Sequence, residues 1–182
     1  MTRLMALALV AIVLSGCKEE LAERPLPVTM TAEAVGHYCQ MDLLEHPGPK
    51  AQIHLAGLPD PLFFSQVRDA IAYQRMPEQS HAIAAIYVSD MGAAPSWEAP
   101  GADNWIAAET AVYVVGATVA GGMGAPELIP FADRTAAEDF VARNGGEILS
   151  LLSVPDETVL APVEFRLDDE GNFIPPEGAA ID

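Results

Sequence analysis

The apolar positions of this chain fall into one long run followed by short periodic sets. Leu4 to Leu14 is unbroken and apolar over eleven residues, too few to cross a bilayer as a helix. Gly36-His37-Tyr38-Cys39-Gln40-Met41 reads as a short extended segment, and Pro47-Gly48-Pro49 as a turn. From Lys50 to Leu55, Ala51, Ile53 and Leu55 alternate with Lys50, Gln52 and His54, which predicts a half-buried strand. Pro59 and Pro61 lead into a helix expected over Leu62 to Arg75, with Phe63, Phe64, Val67, Ala70, Ile71 and Tyr73 at helical spacing. Pro77 ends it, and His81 to Ser89 is rich enough in Ile, Val and Tyr to form a strand.

The same plan recurs downstream. Ala111 to Val115 predicts a strand, Gly116 to Gly124 a glycine-rich turn, and Glu127 to Phe131 a second strand. A helix is expected over Ala136 to Arg143, capped by Thr135 with Glu138 completing a capping box. Asn144-Gly145-Gly146 would end it in a left-handed C-cap, and Glu147 to Leu152 reads as the last strand. Proline stands at the second-strand-to-helix corner of both stretches, at Pro59 and Pro61 and again at Pro130, and a phenylalanine follows each, Phe63 and Phe131. The fold class is therefore α+β: two tandem ββαβ-type repeats in one compact unit, with a flexible N-terminal tether and an acidic C-terminal tail. The boundaries are a signal peptide over 1–16, a lipid anchor and tether over 17–30, a first half over 31–90, a linker over 91–104, a second half over 105–152, and a tail over 153–182.

Charge narrows the partners. The chain carries 26 acids against 9 bases, a formal charge of −17. Phosphate backbones need Lys and Arg, so nucleic acid is excluded as a partner, and anionic lipid headgroups are disfavoured on the same ground. The N-terminal run changes the picture further. Arg3 precedes it, and Leu14-Ser15-Gly16-Cys17 closes it. That tetrad resembles the lipobox of bacterial lipoproteins, which implies cleavage before Cys17, acylation of Cys17 (a diacylglycerol thioether with an added acyl chain such as palmitate) and stable membrane anchoring. Lys18, rather than Asp, then implies the outer membrane, with the protein facing the periplasm.

Export leaves Cys39 as the lone mature thiol. In an oxidising compartment it has no internal partner, so it is either buried or used. On a regular strand Cys39 and Met41 share a face, with Cα atoms roughly 6.5–7 Å apart, and His37 joins them at i−2. Thiolate and thioether are soft ligands that favour Cu(I) over Mg or Ca. Met123, in Gly121-Gly122-Met123-Gly124, has no periodic apolar neighbours and could reach the Cys39 face from the second half. Met91, before Gly92-Ala93, is a weaker candidate. The structural alternative is a buried free Cys with core-filling methionines, both common. A zinc site would want more Cys, His or carboxylate at paired spacing. Gly-x-Ser-x-Gly, Gly-x-Gly-x-x-Gly and Cys-x-x-Cys are all missing, and with them the corresponding hydrolase, nucleotide and redox readings.

Cys17 in its lipobox, the Cys39-Gln40-Met41 triplet and the run Met123-Gly124-Ala125-Pro126-Glu127-Leu128-Ile129-Pro130-Phe131 together resemble the NosL family, over about residues 14–152. The resemblance implies an accessory lipoprotein that binds one Cu(I) and delivers it to apo nitrous-oxide reductase, with a membrane ABC-type assembly complex taking part. It implies Cys39, Met41 and Met123 as copper ligands, with His37 assisting or replaced by water, and a fold of two related ββαβ halves. It describes a carrier, not an enzyme. Two other classes stand beside it. One is a structural or adaptor lipoprotein of the periplasm whose Cys is merely buried. The other is an enzyme acting on thiophilic metal compounds, a chemistry that needs paired thiols and an acid and that one mature Cys fits poorly.

Overall fold

The computed structural model describes residues 24–163 and the backbone of two short strands, Arg166–Leu167 and Phe173–Ile174. The signal peptide, Cys17 and residues 18–23 of the tether lie outside the described residues.

Two antiparallel sheets make the framework. The first has β1 (Ala51–Leu55), β2 (Leu62–Phe64), β3 (Ile83–Ser89) and β4 (Trp105–Ala107) in the order β2-β1-β3-β4, with helix α1 (Val67–Arg75) between β2 and β3. The second has β5 (Val112–Val115), β6 (Ile129–Phe131) and β7 (Glu147–Ser150) in the order β6-β5-β7, with helix α2 (Arg134–Asn144) between β6 and β7. The order strand, strand, helix, strand thus occurs in each half.

The strands of the first half are not all those the pattern predicted. Gly36–Met41 is a tight turn rather than a strand, and the expected helix start at Leu62 is strand β2, whose Phe64 pairs with Ala51. Aromatic and apolar content suits a strand as well as a helix over three residues, so Leu62-Phe63-Phe64 gave the wrong period. The pairing of Trp105–Ala107 with β3, Tyr87 opposite Ala107, puts this segment in the first sheet. Helix α2 starts at Arg134, and its N-cap is Asp133, whose carboxylate accepts from the Thr135 amide. Asp133 is an equally good cap two residues earlier than Thr135, and Glu138 instead lies 3.8 Å from Arg134. Gly145 ends the helix as the Gly-Gly pair predicted, but at φ 71° and ψ −167° rather than in the left-handed helical conformation expected of the C-cap.

Strand β1 is buried on both faces. Its polar positions were expected to face water, but the segment following Arg24 covers them. The Val28 amide donates to Gln52 Oε1 at 2.8 Å, Gln52 Nε2 donates to the Val28 carbonyl at 3.0 Å, and His54 Nε2 lies 2.9 Å from Gln52 Oε1. Tyr87 Oη donates to the Pro25 carbonyl at 2.7 Å, and the Arg24 guanidinium pairs with Glu109. Burial pulls the His54 imidazole below its ordinary range. The tether expected over residues 17–30 is therefore fastened to the fold from Arg24 onward, and buried Met30 closes it against Ala34 and Leu43.

The main core joins the halves. Ile53, Phe64, Val67, Ile71 and Val88 of the first pack with Tyr113 and Leu128 of the second. Val154 and Val159 belong to the same core, and Asp156–Leu160 forms helix α3, so the tail expected from residue 153 begins as packed structure. Arg68 Nε donates to the Thr158 carbonyl at 3.1 Å, and Arg75 donates to the carbonyls of Val154 and Leu151 and to Asp156, which ties α3 to α1. A second, smaller core gathers Val114, Ile129, Phe131 and Ala137.

A core shared between the halves predicts one cooperative unit. Leu128→Ala, at a fully buried position, should cost about 2–5 kcal/mol. Urea unfolding followed by far-ultraviolet dichroism and by tryptophan fluorescence should shift as a single transition. Separate transitions would show that each half holds together alone.

Candidate functional site

Gly36 opens the turn that carries the thiol. Its amide donates to the Met41 carbonyl at 3.0 Å, and its carbonyl accepts from the Gln40 amide at 2.9 Å. Gln40 sits at φ 56°, a left-handed conformation unusual for a residue with a side chain. Its side-chain amide offsets that cost by donating to the His37 carbonyl at 2.8 Å and reaching the Gly36 carbonyl at 3.2 Å. Cys39 and Met41 thus flank the apex of a turn, and the pleat of a strand does not align them. The turn is fixed to the first sheet by the His37 amide, which donates to the Phe63 carbonyl at 2.6 Å, and by fully buried Leu43 below it.

Gly36 is small for a steric reason. A β-carbon there would collide with Cys39 Sγ and would lie 3.8 Å from the Ser65 amide nitrogen. The sulfur therefore folds back over its own turn toward the β2–α1 junction. Cys39 is a half-buried free thiol, while 42% of the Met41 surface stays exposed. The site opens to solvent on the methionine side.

Met123 arrives from the other half. It stands in a loop closed by the Gly121 amide donating to the Ala125 carbonyl and the Gly124 amide donating to the Gly121 carbonyl, both at 2.8 Å. That loop lies directly on the first half. A β-carbon on Gly122 would sit 2.7 Å from the Pro47 carbonyl oxygen, 3.0 Å from His46 Cβ and 3.3 Å from the Ser65 carbonyl oxygen. The Cys39 turn and the Met123 loop therefore both pass close to Ser65, the first by its amide nitrogen and the second by its carbonyl oxygen. Met123 is 37% exposed, so its side chain is open to solvent.

The remaining candidates have other surroundings. The His37 ring packs in an aromatic group, its centroid 5.3 Å from that of Tyr38, 5.6 Å from Phe64 and 5.7 Å from Tyr73. Tyr38 Oη lies 3.8 Å from Met76 Sδ, and burial pushes the Tyr38 phenol up. Met91 packs on the second core beside Phe131 and Trp97, and its amide donates to the Pro130 carbonyl at 2.9 Å.

Beneath the convergence lie polar residues that the sequence reading passed over. Lys50 is buried, and its Nζ donates to the carbonyls of Pro47 at 2.9 Å and Gly48 at 2.6 Å. Burial pulls its ammonium down to about 8, against the opposing pull of Glu127 and Cys39. Glu127 is buried as well, and burial pushes its carboxyl up to about 8. Its Oε1 accepts from the Arg68 and Leu128 amides, both at 2.8 Å. A polar position just before β1, in step with the alternation, gave no hint that Lys50 is inside. The lone acid in the apolar run 125–131 was the available signal for Glu127.

Chemically, the candidate residues Cys39, Met41 and Met123 are one thiol and two thioethers. Among the described residues no group of three or more His, Cys, Asp and Glu side chains could hold a metal ion. A thiol and thioethers are soft donors, suited to a monovalent thiophilic ion and unsuited to a hard divalent one.

Two ββαβ halves joined by one core, with Cys39 on a turn of the first and Met123 on a glycine loop of the second, define a small α+β class. The chain belongs to the NosL family, whose model matches residues 27–159. It is 57% identical to the copper-binding lipoprotein NosL of Achromobacter cycloclastes, over 92% of this chain and 90% of that one. It is 34% identical to the copper-binding lipoprotein NosL of Stutzerimonas stutzeri, over 78% of this chain and 73% of the relative. The crystal structure of the copper chaperone NosL from Shewanella denitrificans superposes with a TM-score of 0.65 at 27% identity, covering 72% of this chain and 96% of that one. No helix among the described residues is long and apolar enough to cross a membrane.

The raised Glu127 carboxyl makes stability pH-dependent. An acid whose folded value lies above its ordinary 4.5 keeps its proton in the fold while the unfolded chain ionises, so its contribution is full below about 4.5 and is lost as pH rises toward about 8. Glu127→Gln cannot ionise. The unfolding free energy of the wild type minus that of this variant should therefore fall across that pH range, measured by urea unfolding. A difference that stays flat would show that Glu127 ionises freely in the fold.

Proposed function

We propose that this protein carries Cu(I) as cargo on Cys39, Met41 and Met123 and delivers it to apo nitrous-oxide reductase. What carries the reading is the approach of the Met123 loop and the Cys39 turn to the same Ser65 from different halves of the fold. The relatives' names, copper-binding lipoprotein and copper chaperone, supply the metal. Thiolate and thioether favour the cuprous state. Met91 is left out of the ligand set because it fills the second core, and His37 stands by as an assisting imidazole.

The mechanism follows from exposure. A half-buried thiol holds the ion from below while two exposed thioethers face solvent. A thioether is a neutral ligand, so an incoming donor on the acceptor can replace it without separating charge in a buried place. Exchange of ligands then moves the ion without releasing it to water. Anchoring through an acylated Cys17, in the outer membrane by the reading of Lys18, keeps donor and membrane-bound acceptors on one surface and raises their encounter rate. A membrane ABC-type complex is the further partner in this reading.

Anaerobic Cu(I) titration against a competing chelator tests the site. One equivalent should bind tightly. Cys39→Ser should abolish tight binding, and Met41→Leu and Met123→Leu, which keep side-chain bulk, should weaken it while leaving the unfolding midpoint nearly unchanged. Mixing the loaded protein with apo nitrous-oxide reductase should transfer the metal. Binding that is weak and indifferent to Cys39→Ser would favour a structural adaptor instead.

A further inference from the structure

The buried polar residues under the Met123 loop have a role beyond filling space. The loop touches the first half through two glycines. Under Gly122 is the Pro47 carbonyl, at 2.7 Å from the position of a β-carbon, and that same carbonyl accepts from Lys50 Nζ at 2.9 Å. Lys50 also holds the next carbonyl, Gly48, at 2.6 Å. Its own backbone is pinned, since its amide donates to Ser89 Oγ at 3.0 Å. The ammonium thus fixes the seat on which Gly122 rests, in a place where a long flexible side chain would otherwise not be ordered.

Under Gly121 lie two more buried side chains. A β-carbon there would collide with Gln66 Nε2 and would come within 2.7 Å of Glu127 Oε2. Gln66 is 1% exposed and Glu127 4%. Neither of those two atoms has a hydrogen-bond partner among the described residues. The other oxygen of Glu127 is held by the amides of Arg68, at the start of α1, and of Leu128, just past the loop. The carboxyl therefore clamps the exit of the loop to the first half.

We propose that Lys50, with Gln66 and Glu127, forms a buried platform that positions the Met123 thioether over the Cys39 turn, making Lys50 a positioning residue for the methionine that the second half contributes. This rests on the copper reading above. It assigns no ligand to Lys50: an ammonium has three donors and no lone pair. Its action is on loop geometry, so its loss should remove what Met123 contributes and leave what Met41 contributes, because Met41 is held by its own turn through Gly36 and Gln40.

A double-mutant cycle on the full mature chain reads this directly. Cu(I) affinity is measured against a competing chelator for Met123→Leu, Met41→Leu and Lys50→Met, and for Lys50→Met combined with each. Loss of a supporting residue around a metal site typically costs about 10–100-fold in affinity. Lys50→Met alone should fall in that range. In its background Met123→Leu should cost nothing more, while Met41→Leu should keep its full fold-cost. Gly121→Ala, which lifts the loop with Lys50 intact, should give the same pattern, and it decides the matter if Lys50→Met does not fold by near-ultraviolet dichroism. Equal attenuation of the Met41 and Met123 effects would reduce Lys50 to general stability and overturn the proposal. So would an undiminished Met123 effect in both backgrounds. If Met123→Leu alone changes nothing, the platform positions no ligand and the proposal also falls, whereas failure of the copper reading itself shows separately, as indifference to Cys39→Ser.

Discussion

The structure depends on a close approach of backbone to backbone. The loop 121–124 reaches the first half only because Gly121 and Gly122 present no side chain to Gln66, Glu127, His46 and Pro47. Gly36, also near Ser65, makes room for the Cys39 sulfur within the first half. The missing β-carbons of Gly121 and Gly122 thus set how near the Met123 loop comes to the first half. Glycine is an entropic liability in the unfolded chain, and the shared core through Tyr113 and Leu128 offsets that liability by fixing the halves against each other.

That constraint also explains where the polar residues went. A surface loop seated on another layer leaves backbone groups and side chains enclosed between them. Lys50, Gln66 and Glu127 are enclosed in this way, and two of their polar atoms face Gly121 without a partner among the described residues. A purely apolar seat would pack as well, but it would hold the loop without direction, whereas hydrogen bonds to the Pro47 and Gly48 carbonyls fix a position. Hydrogen bonds from Lys50 to the Pro47 and Gly48 carbonyls, and to Glu127 from the Arg68 and Leu128 amides, limit the cost of burying either group.

Much of the fold was legible in the residues. Two ββαβ halves followed from the recurrence of periodic segments, proline corners and a Gly-Gly helix stop at Gly145. What the pattern misassigned was local. The strand expected at Gly36–Met41 is a turn, because Gln40 takes a left-handed conformation that no periodicity reports and that its own side chain stabilises. Leu62–Phe64 is a strand because Ala51 and its neighbours are there to pair with it, a tertiary fact. The buried face of β1 depends on residues 24–30 folding over it, again beyond any local window. Of the candidate site, Cys39, Met41 and Met123 stood out by sulfur chemistry and glycine context. The platform did not, since Lys50 and Gln66 look like ordinary solvated positions and only the isolation of Glu127 in an apolar run marked it.

X-ray absorption at the copper edge of the Cu(I)-loaded protein tests the central claim, that sulfur from both halves meets on one ion. The account predicts a cuprous edge and a first shell of sulfur, with that shell losing one scatterer when the thioether of residue 123 is replaced by a hydrocarbon of equal bulk. A shell made of nitrogen or oxygen, or a sulfur shell that the replacement leaves intact, would contradict it.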